Sequence, residues 1–386
     1  MRIGLFTDTY YPEINGVATS VYTLYENLSA LGHDVHVFAP KCKGHEEVCD
    51  DHIHYLASVP LPLLKDRNMG MYGPFSIIDL AKYQFDVIHT NSEFTIGVLG
   101  RVVAHEIGCA CVHTYHTVWE DYVYYVTHGV ADEAARTITR KYSSFWCNRF
   151  DAVIVPTLKT FRLLESYGVK SNINIIPSGL AIDRFAPELH DAALRAQVRE
   201  ECGVKEGERV LLYLGRIAKE KNLDQVLRVF PRLHDAHPEV RLVIVGEGPL
   251  IPTLKAQAEE LGVADFVSFP GPKPWKDIDN YYAMGDVFVS ASHSETQGLT
   301  YIEAMASGLC VVAYNDPCLE GVIDSGRNGL LFADDDADML HMLMRAFSQE
   351  GRDIAARAPE SVAAYAPINF AHAVEALYQK VVSEHE

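Results

Sequence analysis

Two carboxylates, Glu295 and Glu303, stand eight positions apart, and Glu303 is the only charged residue from Thr296 to Asn315. A carboxylate on an apolar helix is costly to bury without a polar partner. A ribose diol supplies such a partner in bidentate form; the ordinary alternative is a carboxylate that reaches solvent. The local pattern reads strand, loop, then a helix starting near Gly298. Free amides around Gln297, Gly298 and Leu299 can then take phosphate or sugar oxygens, with the helix dipole behind them. Upstream, Arg216 and Lys221 follow directly on a strand-like run. Two cations there can clamp a diphosphate and stabilise it as a leaving group, although a solvated basic loop would read the same. Gly16, in the loop after the first strand, lets backbone approach a phosphate or simply makes a turn. His113-Thr114-Tyr115-His116 ends another strand. His116 there suits donation to a substrate hydroxyl, with a structural hydrogen bond to backbone as the alternative. An H-x2-H zinc site lacks a third ligand at compelling spacing. Asp334-Asp335-Asp336 resembles a D-x-D metal motif but precedes a helical run, and it reads as N-cap and first-turn carboxylates. No metal site is expected.

The elements that must position these residues alternate strand and helix. Runs at 3–6, 34–38, 86–89, 111–115, 151–155 and 173–176 read as strands, and 210–214, 241–245, 266–269, 286–290 and 310–313 repeat the scheme. Continuous apolar strands separated by helix-length segments predict parallel sheets covered on both faces. The fold class is therefore α/β, with two doubly wound Rossmann-like domains facing a cleft. Loops beyond the carboxyl ends of the strands line that cleft. Pro177-Ser178-Gly179 and the irregular stretch 182–187 mark the junction, giving domains of 1–185 and 186–369. A closing amphipathic helix follows from about 370 to 386, with Val374, Leu377, Tyr378 and Val381 on one face.

Composition narrows the function. The 386 residues include 33 basic and 52 acidic ones, a net charge of −19. That balance argues against nucleic acid as a partner. Residues 1–180 carry 14 basic and 19 acidic residues and the remainder 19 and 33, so the first half repels an anionic surface less. The eight cysteines contain no C-x2-C and read as buried free thiols in a reducing compartment. No signal peptide and no apolar run of transmembrane length is evident, so the protein reads as cytoplasmic.

Taken together, the E-x7-E pair of Glu295 and Glu303, placed after Arg216 and Lys221, resembles the family 4 retaining glycosyltransferases of GT-B fold, over nearly the whole chain. The resemblance implies a first domain that takes the acceptor, a second that takes a nucleotide-sugar donor, and a final helix crossing back to the first. It implies further that Gly16, Arg216 and Lys221 meet the donor diphosphate, Glu303 the ribose and Glu295 the donor sugar. The backbone near Lys273 becomes the uracil edge, and His116 the active-site histidine. A narrower resemblance rests on Tyr115 to Tyr122 and Ser294 to Ala304. These segments are similar to those of the bacterial diacylglycerol glucosyltransferases, membrane-surface enzymes that use UDP-glucose.

The expected function is transfer of a hexose, glucose, from a UDP-sugar to a lipid acceptor, diacylglycerol, with retention and no tightly bound cofactor. Another lipid or soluble acceptor, a nucleotide-sugar epimerase and a non-enzymatic nucleotide-sugar binder are the alternatives. A second glycosidase-type carboxylate is not evident, so same-face attack by the acceptor is expected rather than double displacement. Weak peripheral membrane association is expected through the apolar segment Leu61 to Phe75 and a basic-aromatic segment comprising Arg136, Arg140, Lys141, Phe145, Trp146 and Arg149.

Overall fold

A computed structural model describes residues 1–13, 15–60, 68–122 and 132–385. The chain divides into two compact units, Met1–Leu180 together with Pro367–Glu386, and Ala181–Ala366. The junction thus lies five residues before the expected 185/186 boundary. The irregular stretch after Leu180 forms a short 3-10 turn, Ile182–Phe185, whose Phe185 is buried against Tyr282 of the second unit.

In the first unit the strands are β1 (Arg2–Phe6), β2 (Asp34–Pro40), β3 (Ile53–Leu56), β4 (Ser58–Pro60), β5 (Asn68–Gly70), β6 (Val87–Thr90), β7 (Ala110–Thr114), β8 (Ala152–Val155) and β9 (Asn172–Ile175). Seven of them form one parallel sheet in the order β3-β2-β1-β6-β7-β8-β9, while β4 and β5 pair as a hairpin. The central strands are buried, apart from Arg2 at the start of β1, and largely apolar, as a sheet covered on both faces requires. On one face pack Leu24 and Leu28 of the helix Gly16–Ala30 together with Val374, Leu377 and Tyr378 of the helix Pro367–His385. That last helix is pinned to the sheet by buried His89, whose Nδ1 lies 2.5 Å from the Tyr378 hydroxyl and Nε2 2.6 Å from Thr114 Oγ1. Burial keeps His89 well below its ordinary pKa, so the imidazole stays neutral between two hydroxyls.

The second unit comprises β10 (Arg209–Leu214), β11 (Val240–Val245), β12 (Val267–Gly271), β13 (Val287–Ser290), β14 (Cys310–Tyr314) and β15 (Leu330–Phe332). They form a parallel sheet in the order β12-β11-β10-β13-β14-β15. The expected strands all exist, within two residues at each end. β3, β15 and the hairpin are additions: short or edge strands without a long apolar run to announce them.

In both sheets the order reverses beside the first strand, between β1 and β6 and between β10 and β13. In such sheets the crevice at that switch point is where ligands bind.

Candidate active site

The switch point of the second unit brings together the loops after β10 and β13. Gly215 begins the first loop, and the Tyr213 hydroxyl holds its course by donating to the Arg216 carbonyl at 2.8 Å. The loop after β11 packs against it backbone to backbone, with Ile217 N donating to Glu247 O at 2.7 Å. A Cβ on Gly246 or Gly248 would sit 1.9 or 2.0 Å from a carbonyl oxygen, so only glycine allows this approach. Thus positioned, the Lys221 ammonium meets Glu295 Oε1 at 2.5 Å, both side chains being mostly buried. Ser292 Oγ lies 3.5 Å from the Glu220 carbonyl, a second link between the loops. Arg216 pairs with Glu220 and keeps about half its side chain in solvent. Two cations and two acids at one switch point can exchange partners with an incoming diphosphate.

Gly298 then opens the helix Leu299–Ala306. Its φ is +73°, and a Cβ there would meet the Tyr301 ring at 2.4 Å. A glycine cap offers no side chain of its own to the first amides of the helix, of which Tyr301 N donates to the Gly298 carbonyl at 3.1 Å. Gln297 and Gly298 are buried and Leu299 is partly exposed. Glu303, later on the same helix, is buried and accepts from the Tyr282 hydroxyl at 2.6 Å. Burial pushes its carboxyl up to about 7, against the smaller opposing pull of Tyr282 and Arg184. A carboxyl so placed gains from hydroxyl donors. Lys273 stands apart from the Lys221–Glu295 pair: it follows the edge strand β12 with its ammonium over the Tyr281 ring, 5.0 Å from the centroid. The backbone of that loop does reach the glycine loop, Gly246 N donating to Gly271 O at 3.1 Å.

The first unit's switch point carries different chemistry. Asp8, after β1, accepts from Ser92 Oγ at 2.6 Å, Thr95 Oγ1 at 2.5 Å and Ile96 N at 2.9 Å, and so caps the helix Thr95–Ile107. Gly16 is the first residue of its helix, and Asn15 Oδ1 already accepts from Val17 N and Ala18 N. An approaching phosphate would therefore find the Gly16 backbone but not those two amides. His116, partly buried after β7, donates through Nε2 to Asn91 Oδ1 at 3.0 Å, leaving Nδ1 as an acceptor. Burial, and then neighbouring His113, depress its pKa to about 3, so it is neutral. The H-x2-H pair does not converge. His113 is wholly buried, hydrogen-bonded to Thr90 and stacked on Phe150 at 4.9 Å, with Glu93 Oε1 3.4 Å from its Nε2. Asn91 Nδ2 and Glu93 Oε1 are buried without a hydrogen-bond partner among the described residues.

Sequence reasoning missed Asn91, Glu93, Tyr282 and Arg184. Asn91 and Glu93 were reachable, lying within four residues past the predicted strand 86–89; Tyr282 touches Glu303 from another helix and leaves no local signal. Asp335 caps the helix Asp336–Ala346 and Asp336 binds Arg228, so that triplet has the capping role expected. Of the expected membrane segments, Leu61 to Arg67 lie outside the described residues. The other requires correction at three positions. Arg140 and Arg136 are engaged by Glu120, which also takes the Tyr167 hydroxyl, and Trp146 is buried. The outward stripe of that helix, Asp132–Cys147, is Ile138, Lys141, Tyr142 and Phe145, with Arg149 just beyond and stacked on Phe145 at 3.7 Å. Among the described residues no helix is long and apolar enough to cross a membrane.

Comparison with known proteins gives the fold and chemistry a family. Residues 14–184 match the model for Glycosyltransferase Family 4, and residues 195–362 match that for Glycosyl transferases group 1. The chain is 39% identical over 336 residues to the alpha-monoglucosyldiacylglycerol synthase of Streptococcus pneumoniae, covering 86% of this chain and 75% of that one. It is 29% identical to the enzyme of the same name from Acholeplasma laidlawii, over 100% of this chain and 98% of the other. The crystal structure of Anabaena Alr3699/HepE in complex with UDP and glucose superposes with a TM-score of 0.77 at 16% identity, covering 98% of this chain and 100% of that one. The chain therefore belongs to the family 4 glycosyltransferases of GT-B fold, and it is a sugar-transferring enzyme.

Proposed function

We propose that the enzyme transfers glucose from UDP-glucose to a lipid acceptor of the diacylglycerol class, with retention at the anomeric carbon. The observation that carries this reading is the 39% identity to the pneumococcal alpha-monoglucosyldiacylglycerol synthase across most of both chains. UDP-glucose is an α-glycoside, so retention yields the α-glucoside that name describes. In the reaction the bond from C1 to the diphosphate oxygen breaks, and the acceptor hydroxyl bonds to C1 on the same face. The acceptor's proton passes to the leaving diphosphate. Arg216, Lys221 and the amides beginning at Leu299 take up the departing charge, as preorganised cations and dipoles do. Glu303 holds the ribose hydroxyls, the backbone near Lys273 the uracil, and Gly16 contacts the diphosphate. His116 accepts from a sugar hydroxyl through Nδ1, and Glu295, tethered by Lys221, contacts the sugar.

The acceptor reading has a second support. Of the fourteen large hydrophobic residues exposed among the described ones, thirteen belong to the first unit, including Met69, Met71, Ile138 and Phe145. Apolar groups beside Lys141 and Arg149 suit reversible binding to an anionic bilayer at the inner face of the cell membrane.

The test crosses UDP-glucose, UDP-galactose and GDP-mannose with diacylglycerol in vesicles of rising anionic content and with a soluble alcohol. α-Glucosyl diacylglycerol from UDP-glucose is expected, with sedimentation that weakens with salt and in Ile138→Ser/Phe145→Ser. Turnover of a soluble acceptor alone, with the enzyme unbound at every lipid composition, overturns the lipid assignment; an altered sugar without an acceptor favours an epimerase.

A further inference from the structure

The amino ends of β1, β2 and β3 lie at the edge of the first unit's sheet opposite its loop crevice, and they carry a cluster that the transferase reading leaves unused. Asp34 and His36 are two apart on β2 and share a face; His52 and His54 do the same on the chain entering β3. The pairing of Val37 with Ile53 sets His36 beside His52. Asp34 Oδ1 lies 3.2 Å from His36 Nε2 and 3.7 Å from His52 Nε2, and the three ligand atoms lie within 4.8 Å of one another. Zinc–nitrogen bonds of about 2.0–2.1 Å in a tetrahedron hold ligand atoms about 3.3 Å apart, so small rotations close the set.

The opposite atoms of all three side chains are already held. His36 Nδ1 is 3.1 Å from His54 Nε2. His52 Nδ1 is 3.5 Å from Asp50 Oδ1, and Asp50 is itself fixed by the Tyr25 hydroxyl and by His52 N. Asp34 Oδ2 accepts from Arg2 Nε at 2.6 Å. Outer partners on the far nitrogen of each imidazole are what orient metal-binding histidines. Two cations oppose: Arg2 faces Oδ2 with nearly half of its side chain in solvent, which screens it, and Lys82, lining the same pocket, is paired with Asp79 at 2.6 Å.

We infer that Asp34, His36 and His52 form a binding site for a borderline divalent cation such as Zn²⁺, with water completing the coordination. Two imidazoles and one carboxylate suit zinc, cobalt, nickel or copper rather than magnesium or calcium. The ion would tie the entry of edge strand β3 to β2, and its effect would be on stability rather than on sugar transfer.

The experiment titrates the full-length chain with Zn²⁺ by calorimetry, follows Tm, and records the Co²⁺ spectrum. One equivalent is expected, with a raised Tm and a Co²⁺ spectrum free of thiolate charge transfer. Both responses should vanish in His36→Ala and in His52→Ala, whose half-exposed ring can be removed without disturbing the core. Asp50→Asn should weaken binding about 10-fold. Zinc binding and Tm response unchanged in His52→Ala, or a thiolate signature in the cobalt spectrum, would overturn the site. So would the absence of any zinc response in the wild type, which reduces the cluster to ordinary ion pairs.

Discussion

At the switch point of each unit, the loop after the first strand meets the loop after the strand on its other side, yet the groups there differ in kind. In the second unit the contacts are ionic: Lys221 with Glu295, Arg216 with Glu220. In the first they are directional hydrogen bonds among fixed partners: Asp8 with three donors, Asn15 with two helix amides, neutral His116 with Asn91. The same topology therefore sets ion pairs at one switch point and fixed hydrogen bonds at the other. The surfaces differ in the same sense. The first unit carries thirteen of the fourteen exposed large hydrophobics, while the remainder of the sequence after residue 180 carries most of the excess acid. On the proposed reading, the ionic switch point takes most of the charged donor and the apolar surface of the first unit takes the lipid acceptor.

The largest expected effect breaks this contrast at its ionic side. Arg216→Ala/Lys221→Ala should lower the rate by about 10³ or more and weaken UDP binding too, since both cations are proposed to meet the diphosphate in ground and transition states. An active double variant with normal UDP affinity would remove the clamp. His116→Ala addresses the neutral side: turnover should fall about 10²–10³ with UDP affinity nearly intact, measured by steady-state kinetics alongside calorimetry. Parallel loss of UDP affinity would erase the proposed division between the crevices.

Glu303→Ala should weaken UDP by about 1.5–3 kcal/mol, the cost of losing a charged acceptor; calorimetry showing unchanged affinity in a folded variant excludes the ribose contact. A subtler measurement sharpens the same point. The Glu303 carboxyl sits at about 7 in the folded chain, above its ordinary 4.5. A raised folded value means its contribution to stability is complete below pH 4.5 and is lost as pH climbs through about 7. Glu303→Gln, which cannot ionise, should therefore gain in Tm relative to wild type between pH 5 and 8, and a constant difference would contradict the shift. The smallest effect is Asn15→Ala, which uncaps the helix Gly16–Ala30 and should cost about 1 kcal/mol in urea unfolding. A loss near zero would mean those amides are satisfied without Asn15.

How much of this was legible depends on how local each signal is. Long apolar runs such as Val240–Val245 declare buried parallel strands by themselves, and their alternation with helices declares the doubly wound class. Glu295, Glu303, Arg216, Lys221 and His116 stand out because a charge or imidazole in an apolar or strand-end context needs a reason within a few residues. Loop placement beyond strand ends follows from the same alternation. Strands β3 and β15 carry no comparable run, since an edge strand is buried on fewer sides and needs less apolar sequence. Pairing across many residues was invisible for a different cause. The Tyr282–Glu303, Asn91–His116, Asp8–Ser92 and Glu120–Arg140 contacts join residues 20 to 84 positions apart, on elements whose proximity only the tertiary fold creates. The sequence determined which residues had chemistry to offer; tertiary structure decided which charges were already spent on each other, because an ion pair or a cap is a property of two segments and no single stretch encodes it.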